Sequence, residues 1–182
     1  MKRLDRFIQH RRFAQASRHI GPGVRLLDVG ASDGALFEWL GSRVTSGVGV
    51  DPKPLGSRKG TNYVLLERPL PGLDLDEQFD VVTLLAVIEH IPRDCQKALA
   101  DECAAVLVPG GRVIVTTPAQ AADQVLDAMR ALHVIDGMEL DEHYGFDPRE
   151  VPGLFEDAGL ALAHHSRFEL LFNHLFVFDK RR

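Results

Sequence analysis

The sequence contains 182 residues, of which 45% are hydrophobic and 26% are charged, and its formal net charge is −5. A chain of this length can bury the core of one compact domain, but it is too short for separate catalytic and substrate domains. No apolar run approaches the roughly 20 residues of a transmembrane helix, and the charged start, "MKRLDRFIQHRRF", is unlike a signal peptide. The negative balance also argues against a general nucleic-acid binder.

The first predicted element is an N-terminal helix that ends near Ser17. Its apolar face is short and consists of Leu4, Phe7 and Ile8, and the remaining positions are mostly basic. Such a helix could lie across a pocket mouth as a lid, or rest on a membrane surface as an amphipathic helix. The basic residues here and in the closing "KRR" could attract an anionic partner or remain solvated tails.

Strand-like and helix-like segments alternate along the rest of the chain, which predicts an α/β fold with a parallel sheet covered by helices. The predicted strands are "VRLLDVG", "SGVGVD", "NYVLLE", "FDVVTLLAV" and "RVIVTTP", and the main helices are "GALFEWLG", "RDCQKALADECAAVL" and "AADQVLDAMRALHVI". A short helix in "DPREVPGLFEDAGL" precedes two final strands, "LALAHHSRFEL" and "HLFVFDK". These two strands are expected to form an antiparallel hairpin at the sheet edge.

Three further expectations concern local structure. The stretch between Asp51 and Asn62 contains two prolines and two glycines, so we expect a loop and no helix there. Trp39 and the adjacent pair 154–155 are expected in the core. The two cysteines would lie roughly 12 Å apart along one helix, farther than the roughly 4.4–6.8 Å of a disulfide. We therefore expect reduced thiols and a cytoplasmic protein.

The loop after the first strand is the expected ligand site, since ligands of open parallel sheets bind beyond the carboxyl ends of the strands. Its pattern, "DVGASDG", lacks the G-x-G-x-x-G spacing of dinucleotide sites and the Gly-Lys-Ser/Thr ending of a P-loop. Asp28 at its entrance would repel a pyrophosphate and suits a cationic ligand. S-adenosylmethionine, which carries a sulfonium and an ammonium but no phosphate, is such a ligand.

Four segments, in order and at the right intervals, resemble the motifs of class I methyltransferases. They are "LLDVGASDG", "VGVDP", "LERPLPGLDLDEQFDVVTLLAVIEHI" and "LVPGGRVIVTTP". The resemblance implies a Rossmann-like, doubly wound, mostly parallel seven-stranded sheet that binds S-adenosylmethionine. Ser32 departs from the family, which more often has glycine at that position. We expect a single domain over residues 1–182, with residues 1–19 as a possible lid and residues 119–150 on the acceptor side.

The resemblance also implies which residues contact the cofactor. Asp51 would accept both ribose hydroxyls, a position at which an acid is suited to that role, and Asp28 would orient the methionine end. The other cofactor residues would be Gly30, Ala31 and Gly34 in the loop, Glu67 and Arg68 at the adenine edge, and Ala86 beside the methionine. For Glu67, a solvated loop position is nearly as good an interpretation.

The candidate catalytic residues are Glu89, His90 and His143. Glu89 and His90 follow the fourth strand, but they could instead cap the next helix, and His143 could lie on the surface. The "VIEH" run is also similar to a metal-holding array of small-RNA 2′-O-methyltransferases, in which Ala86 takes the place of a carboxylate. Because Mg²⁺ prefers several oxygen ligands, we expect no metal site and methyl transfer without a metal.

The leading interpretation is an S-adenosylmethionine-dependent methyltransferase that acts on a small-molecule or modest-sized polar acceptor. Two alternatives stay open: a non-catalytic, cofactor-binding partner or regulatory protein, and an RNA or tRNA methyltransferase that uses the basic ends. A small-molecule acceptor is favoured over nucleic acid, and no membrane partner is expected.

Overall fold

The structure, a computed structural model, describes residues 3–54, 59–119, 146–168 and 173–182, with side chains from residue 6 onward. The helices are α1 (Arg3–Ala16), α2 (Ala35–Leu40), α3 (Arg93–Ala105) and α4 (Val151–Glu156). The strands are β1 (Val24–Val29), β2 (Val44–Asp51), β3 (Tyr63–Glu67), β4 (Phe79–Leu85), β5 (Leu107–Pro118), β6 (Leu160–Phe168) and β7 (Asn173–Lys180). Within these ranges, no helix is long and apolar enough to cross a bilayer.

The seven strands form one sheet in the order β3-β2-β1-β4-β5-β7-β6. Strands β1 to β5 pair in parallel, whereas β7 is antiparallel to both β5 and β6. Strand β1 has β2 on one side and β4 on the other, so the chain crosses over in opposite directions from this point. The predicted fold class, including the antiparallel hairpin at the edge, is confirmed.

Two apolar clusters lie on opposite faces of the sheet. Helices α3 and α4 cover one face, where Leu99 and Phe155 are fully buried. Helices α1 and α2 cover the other face, where Phe13 and Phe37 pack. The sheet therefore has a core on both sides, as a doubly wound fold requires.

The core assignment of Trp39 was wrong, because its side chain is 46% exposed. Helix α2 has only six residues and buries Leu36, Phe37 and Leu40, which leaves Trp39 on the outer side. Of the apolar face expected on α1, Phe7 is 61% exposed, and the α1 side chains that pack into the core are Phe13 and Ala16. Leu154 and Phe155 were also expected in the core, and this is confirmed: Phe155 is buried and Leu154 packs against the same cluster.

Strand β5 begins earlier than the sequence indicated. The "PGG" stretch, which precedes the predicted strand "RVIVTTP", belongs to β5. The β4–β5 register shifts there, since Phe79 pairs with Leu107 and Val81 with Arg112. Gly110 has φ 80° within this irregular stretch. The extra residues are absorbed as a bulge, which glycine permits.

The described ends of the stretch between Asp51 and Asn62, residues 52–54 and 59–62, contain no helix. Residues 55–58 lie outside the described ranges, as do residues 120–145, which include the whole of the predicted helix "AADQVLDAMRALHVI". Cys95 and Cys103 are both free thiols, as expected.

Helix α1 runs from one end of the sheet to the other. Near its carboxyl end, the Arg112 Nη1 group donates to the His19 carbonyl oxygen (3.4 Å). Toward its amino end, Arg12 Nη2 donates to Asn173 Oδ1 (3.5 Å), and Asn173 stands opposite Pro118, the last residue of β5. Roughly 13 Å of helix precedes Arg12, so the first turns of α1 continue past the end at which β1 to β5 finish, which we call the carboxyl end of the sheet.

Candidate cofactor site at the carboxyl end of the sheet

The loop after β1 is held tightly against β2 and β4. The Gly30 and Ala31 N–H groups both donate to the Val50 carbonyl oxygen, at 2.8 and 3.1 Å. Gly30 has φ 76°, and a Cβ atom at this position would lie 2.4 Å from Cγ2 of Val87. Glycine is therefore required twice over, for the left-handed backbone and for the close approach of the segment after β4.

The remainder of the loop turns into α2 with further positive φ angles. Gly34 has φ 78°, and a Cβ there would lie 2.8 Å from the Tyr63 ring. Ser32 has φ 47°, in the left-handed region that disfavours residues with a Cβ. Glycine would adopt this backbone conformation at position 32 without the steric cost of a Cβ atom.

Asp51 ties this loop to the end of β2. Its Oδ2 accepts from the Ser32 N–H (3.0 Å) and its Oδ1 from the Lys53 N–H (2.7 Å), and its carbonyl oxygen accepts from the Arg68 N–H (3.1 Å). The side chain is half-buried. Each carboxylate oxygen has two acceptor positions, so one on each remains for a ligand such as a pair of ribose hydroxyls.

Asp28 is the buried acid of the site. It is 5% exposed, and its Oδ1 lies 2.7 Å from Thr83 Oγ1, which donates to it across the β1–β4 pair. Burial raises the pKa of Asp28 to about 7, the Thr83 hydrogen bond opposes this rise, and the Asp51 and Asp33 carboxylates add to it. A cation placed beside Asp28 would therefore stabilise its charged form.

The chain leaves β4 through a second strained position. Ala86 has φ 60°, a left-handed conformation that is rare for a residue with a Cβ and that clusters at functional sites. Its N–H donates to the Thr116 carbonyl oxygen (2.9 Å) at the end of β5. This places Ala86 next to Val87 and, through Val87, against Gly30.

Glu67 is the last residue of β3 and Arg68 follows it, and β3 pairs with β2 so that Glu67 stands beside Asp51. The Glu67 side chain is exposed and the Arg68 side chain is half-buried. The Arg68 backbone is tied to the site through the bond from its N–H to the Asp51 carbonyl oxygen. Both residues lie at the same end of the sheet as the loop after β1, as the sequence predicted.

The candidate catalytic residues Glu89 and His90 are neighbours in the chain but differ in the exposure of their side chains. Glu89 and His90 lie in a short 3₁₀ turn (Ile88–His90) directly after Ala86 and Val87. The Glu89 side chain is 2% exposed, whereas that of His90 is exposed. His143 lies outside the described residues. Among the described residues, no group of three or more His, Cys, Asp or Glu side chains could hold a metal ion.

The sequence interpretation missed Thr83 and Val87. Thr83 is a fully buried polar side chain in a mostly apolar strand, but a β-branched residue is so common in strands that it gave no signal. Val87 meets Gly30 only through the pairing of β1 with β4, which a local pattern does not reveal.

The site thus combines a buried carboxyl group, two backbone segments in the left-handed region and a second carboxylate with free acceptor positions. The charges that act on Asp28 are the carboxylates of Asp33 and Asp51, so the site is electronegative and unsuited to phosphate. These features fit S-adenosylmethionine, whose ammonium and sulfonium groups are cationic and whose ribose presents two hydroxyls.

Comparison with known proteins agrees with this interpretation. Residues 2–165 match the model of a family described as "Methyltransferase domain". The ubiquinone biosynthesis O-methyltransferase of Stutzerimonas stutzeri (strain A1501) is 29% identical over 154 residues, which are 77% of this chain and 66% of that protein. The chain spans 44% and 40% of the length of two further relatives with the same name.

Two solved structures share the fold. The N-methyltransferase NodS from Bradyrhizobium japonicum WM9 has a TM-score of 0.71 at 14% identity, with 96% of this chain and 97% of that chain covered. The 1,6-didemethyltoxoflavin-N1-methyltransferase of Burkholderia thailandensis, which was crystallised with S-adenosylhomocysteine, has a TM-score of 0.71 at 19% identity, with 94% and 77% covered. The family match over most of the chain and the shared fold confirm the predicted family and its cofactor. The chain belongs to the class I S-adenosylmethionine-dependent methyltransferases.

Proposed function

We propose that the protein binds S-adenosylmethionine at the carboxyl end of β1 to β4 and transfers its methyl group to a small-molecule acceptor. The observation that carries this proposal is the buried Asp28 carboxyl group, which lies among other carboxylates beside the left-handed Gly30 loop. Such a group is costly to ionise in isolation and gains most from a cationic ligand.

Each proposed cofactor residue has a distinct role. Asp28 orients the ammonium of the methionine moiety, and Asp51 accepts from the ribose hydroxyls. The backbones of Gly30, Ala31 and Gly34 line the loop side of the site. Glu67 or the Arg68 backbone faces the adenine edge, and the Ala86 backbone lines the methionine pocket.

The bound cofactor supplies a methyl group already activated on a sulfonium, so the protein mainly aligns the reactants and excludes water. If the acceptor is a hydroxyl, a general base assists. Of the proposed catalytic residues, Glu89 is the best suited to this role, because it is buried three residues after Ala86, whereas His90 is exposed. His143 remains a proposal for the acceptor side.

A small-molecule acceptor is supported by the relatives, which are named for O-methylation in ubiquinone biosynthesis. The acceptor side would be built from α1, whose first turns continue past the carboxyl end of the sheet, and from residues 119–150. We propose action in the cytoplasm, which the two free cysteines support.

Labelling tests the function directly. The protein is incubated with cell extract and S-adenosylmethionine carrying a labelled methyl group, and the small-molecule, RNA and protein fractions are counted. We expect label in the small-molecule fraction. Label confined to RNA would support the RNA or tRNA methyltransferase alternative, and cofactor binding without label in any fraction would support the non-catalytic alternative.

Truncation tests the division between cofactor and acceptor sides. Deleting residues 1–9 removes the first seven residues of α1 and spares Phe13 and Ala16, which are in the core. We expect cofactor affinity to be preserved and turnover to be lost. A parallel loss of cofactor affinity would show that α1 belongs to the nucleotide site.

A further inference from the structure

The outer side of α1 and the end of α2 expose a contiguous group of rings. Phe7 is 61% exposed and Trp39 is 46% exposed, and they are two of the three large apolar side chains exposed in the described part of the chain. His10 connects them, since its ring centroid lies 5.2 Å from that of Trp39 and it follows Phe7 by three positions, which places the two on neighbouring parts of the helix surface.

These rings are anchored to the core. Phe13, which is 6% exposed, has its ring centroid 6.1 Å from that of Trp39 and 6.4 Å from that of His10. The exposed rings therefore continue an aromatic cluster that begins in the apolar core beneath α1 and α2. Their exposure is set by the packing of two helices and does not depend on a mobile tail.

Exposed arginines lie beside the rings on the α1 side of this group. Phe7 and Arg11 are spaced i and i+4 on α1, so they lie on neighbouring parts of the helix surface. Arg18 follows in the 3₁₀ turn Ser17–His19 directly after α1, and all three side chains are exposed. Arg43 is also exposed and is joined to this region, because its Nη1 donates to the Ser17 carbonyl oxygen (3.1 Å). From residue 6 to residue 19 the sequence contains arginines and histidines but no acid, in a chain whose net charge is −5.

We propose that this aromatic–basic surface (Phe7, His10, Arg11, Arg18 and Trp39) docks on the face of an anionic lipid bilayer. Aromatic rings favour the interfacial depth of a membrane, and guanidinium groups beside them can pair with anionic headgroups. The helix would lie on the bilayer without crossing it. The sequence expectation of no membrane partner depended on a short apolar face on α1, and Trp39 extends that face from a second helix.

Charge decides between a bilayer and a second copy of the chain. Two copies joined through this surface would bring the same arginines face to face, which is unfavourable, whereas an anionic bilayer complements them. A single-stranded nucleic acid could also stack on the rings, and it is therefore included as an outcome of the test. The proposal concerns binding to a surface and does not depend on the proposed methyl transfer.

The test uses the full chain and vesicles of phosphatidylcholine with or without phosphatidylglycerol. Trp39 is the single tryptophan of the sequence, so a blue shift of the fluorescence reports its entry into the bilayer, and co-sedimentation measures the bound fraction. We expect binding to be at least about tenfold stronger with the anionic vesicles and to weaken as added salt screens the charges.

Matched variants locate the contact. Phe7→Ser and the pair Arg11→Gln/Arg18→Gln should each reduce vesicle binding by about tenfold or more. Leu162→Ser is the control, because Leu162 is 38% exposed on β6, away from this surface, and it should bind as the unmodified protein does. Circular dichroism of every variant verifies that it is folded.

Several results would overturn the proposal. Equal binding to neutral and anionic vesicles, or equal losses for Phe7→Ser and Leu162→Ser, would contradict it. So would a fluorescence shift produced by single-stranded RNA but not by vesicles, or one produced by raising the protein concentration alone. Cofactor affinity, measured separately, reports on the proposed function and is not expected to follow vesicle binding.

Discussion

Two regions of the molecule differ in the contacts that hold them together: the carboxyl end of β1 and β2, and the outer side of α1 and α2. At the first, hydrogen bonds join each loop to its neighbour, as when Asp51 accepts from Ser32 and Lys53 at the same time. At the second, exposed rings and arginines lie on an aromatic cluster that reaches into the core through Phe13. The first arrangement suits one small ligand of defined shape, and the second suits an extended surface without a defined shape.

The largest effect is expected from disrupting the loop after β1 at Gly30. In Gly30→Ala, the left-handed backbone costs roughly 1–2 kcal/mol, and overlap of the new Cβ with Val87 adds about 1–3 kcal/mol. Denaturant unfolding should show a stability loss of about 2–5 kcal/mol, and the loop displacement should abolish measurable cofactor binding.

Gly23→Ala is the matched control for that substitution. Gly23 has φ 75°, nearly the angle of Gly30, but no atom lies within 4 Å of the position of its Cβ. It should show the backbone cost alone, roughly 1–2 kcal/mol, with cofactor affinity preserved. Equal losses in the two variants would mean that the close approach of Val87 contributes nothing.

A second test concerns the pH dependence that Asp28 confers. Its pKa is about 7 in the folded protein and 3.8 in an exposed aspartate, so the folded state holds the proton more tightly. The stabilisation from this difference is complete below pH 3.8 and is lost as the pH rises toward 7. With about 1.4 kcal/mol per pKa unit, the loss between pH 5 and pH 8 should be about 2–3 kcal/mol.

Asp28→Asn removes the titrating group and preserves an acceptor for Thr83. Between pH 5 and pH 8, the change in its free energy of unfolding should be smaller than the change in the unmodified protein by about 2–3 kcal/mol. Its affinity for the cationic cofactor should fall as well. Parallel stability profiles for the two proteins would show that burial does not raise the pKa of Asp28 in solution.

A smaller effect is expected at Ser32. Because Ser32 has φ 47°, Ser32→Gly should relieve backbone strain of roughly 1–2 kcal/mol, partly offset by the greater freedom of glycine in the unfolded chain. The variant keeps the backbone N–H of residue 32, which donates a hydrogen bond to Asp51 Oδ2. We expect a stability change within about 1 kcal/mol and cofactor affinity close to that of the unmodified protein, and a large loss of affinity would show that the hydroxyl contacts the cofactor.

No effect is expected from metal removal. Methyl transfer, measured in a single turnover once an acceptor is known, should proceed after dialysis against EDTA. Activity that is lost with the chelator and restored by Mg²⁺ or Mn²⁺ would contradict this prediction. It would also support the RNA 2′-O-methyltransferase interpretation.

The two regions also differ in how well the sequence predicted them. The order of elements, the loop at Gly30 and the acid ending β2 were predicted because each depends on neighbouring residues: apolar runs, glycines and a short turn. The exposure of Trp39 was not predicted, since it depends on how few residues α2 contains. Contacts such as that of Val87 with Gly30 join distant parts of the chain, and the bulge at the start of β5 depends on pairing with β4.

Cofactor binding by Asp51→Ala tests the central claim most directly. Asp51 connects the ends of β1, β2 and β3, and removing a charged acceptor costs about 1.5–3 kcal/mol, which corresponds to an affinity loss of at least about tenfold. Calorimetric titration with S-adenosylmethionine should show this loss, whereas Asp101→Ala, which removes an exposed acid paired with Lys97 on α3, should bind as the unmodified protein does. Unchanged affinity in Asp51→Ala would contradict the placement of the ribose at the end of β2.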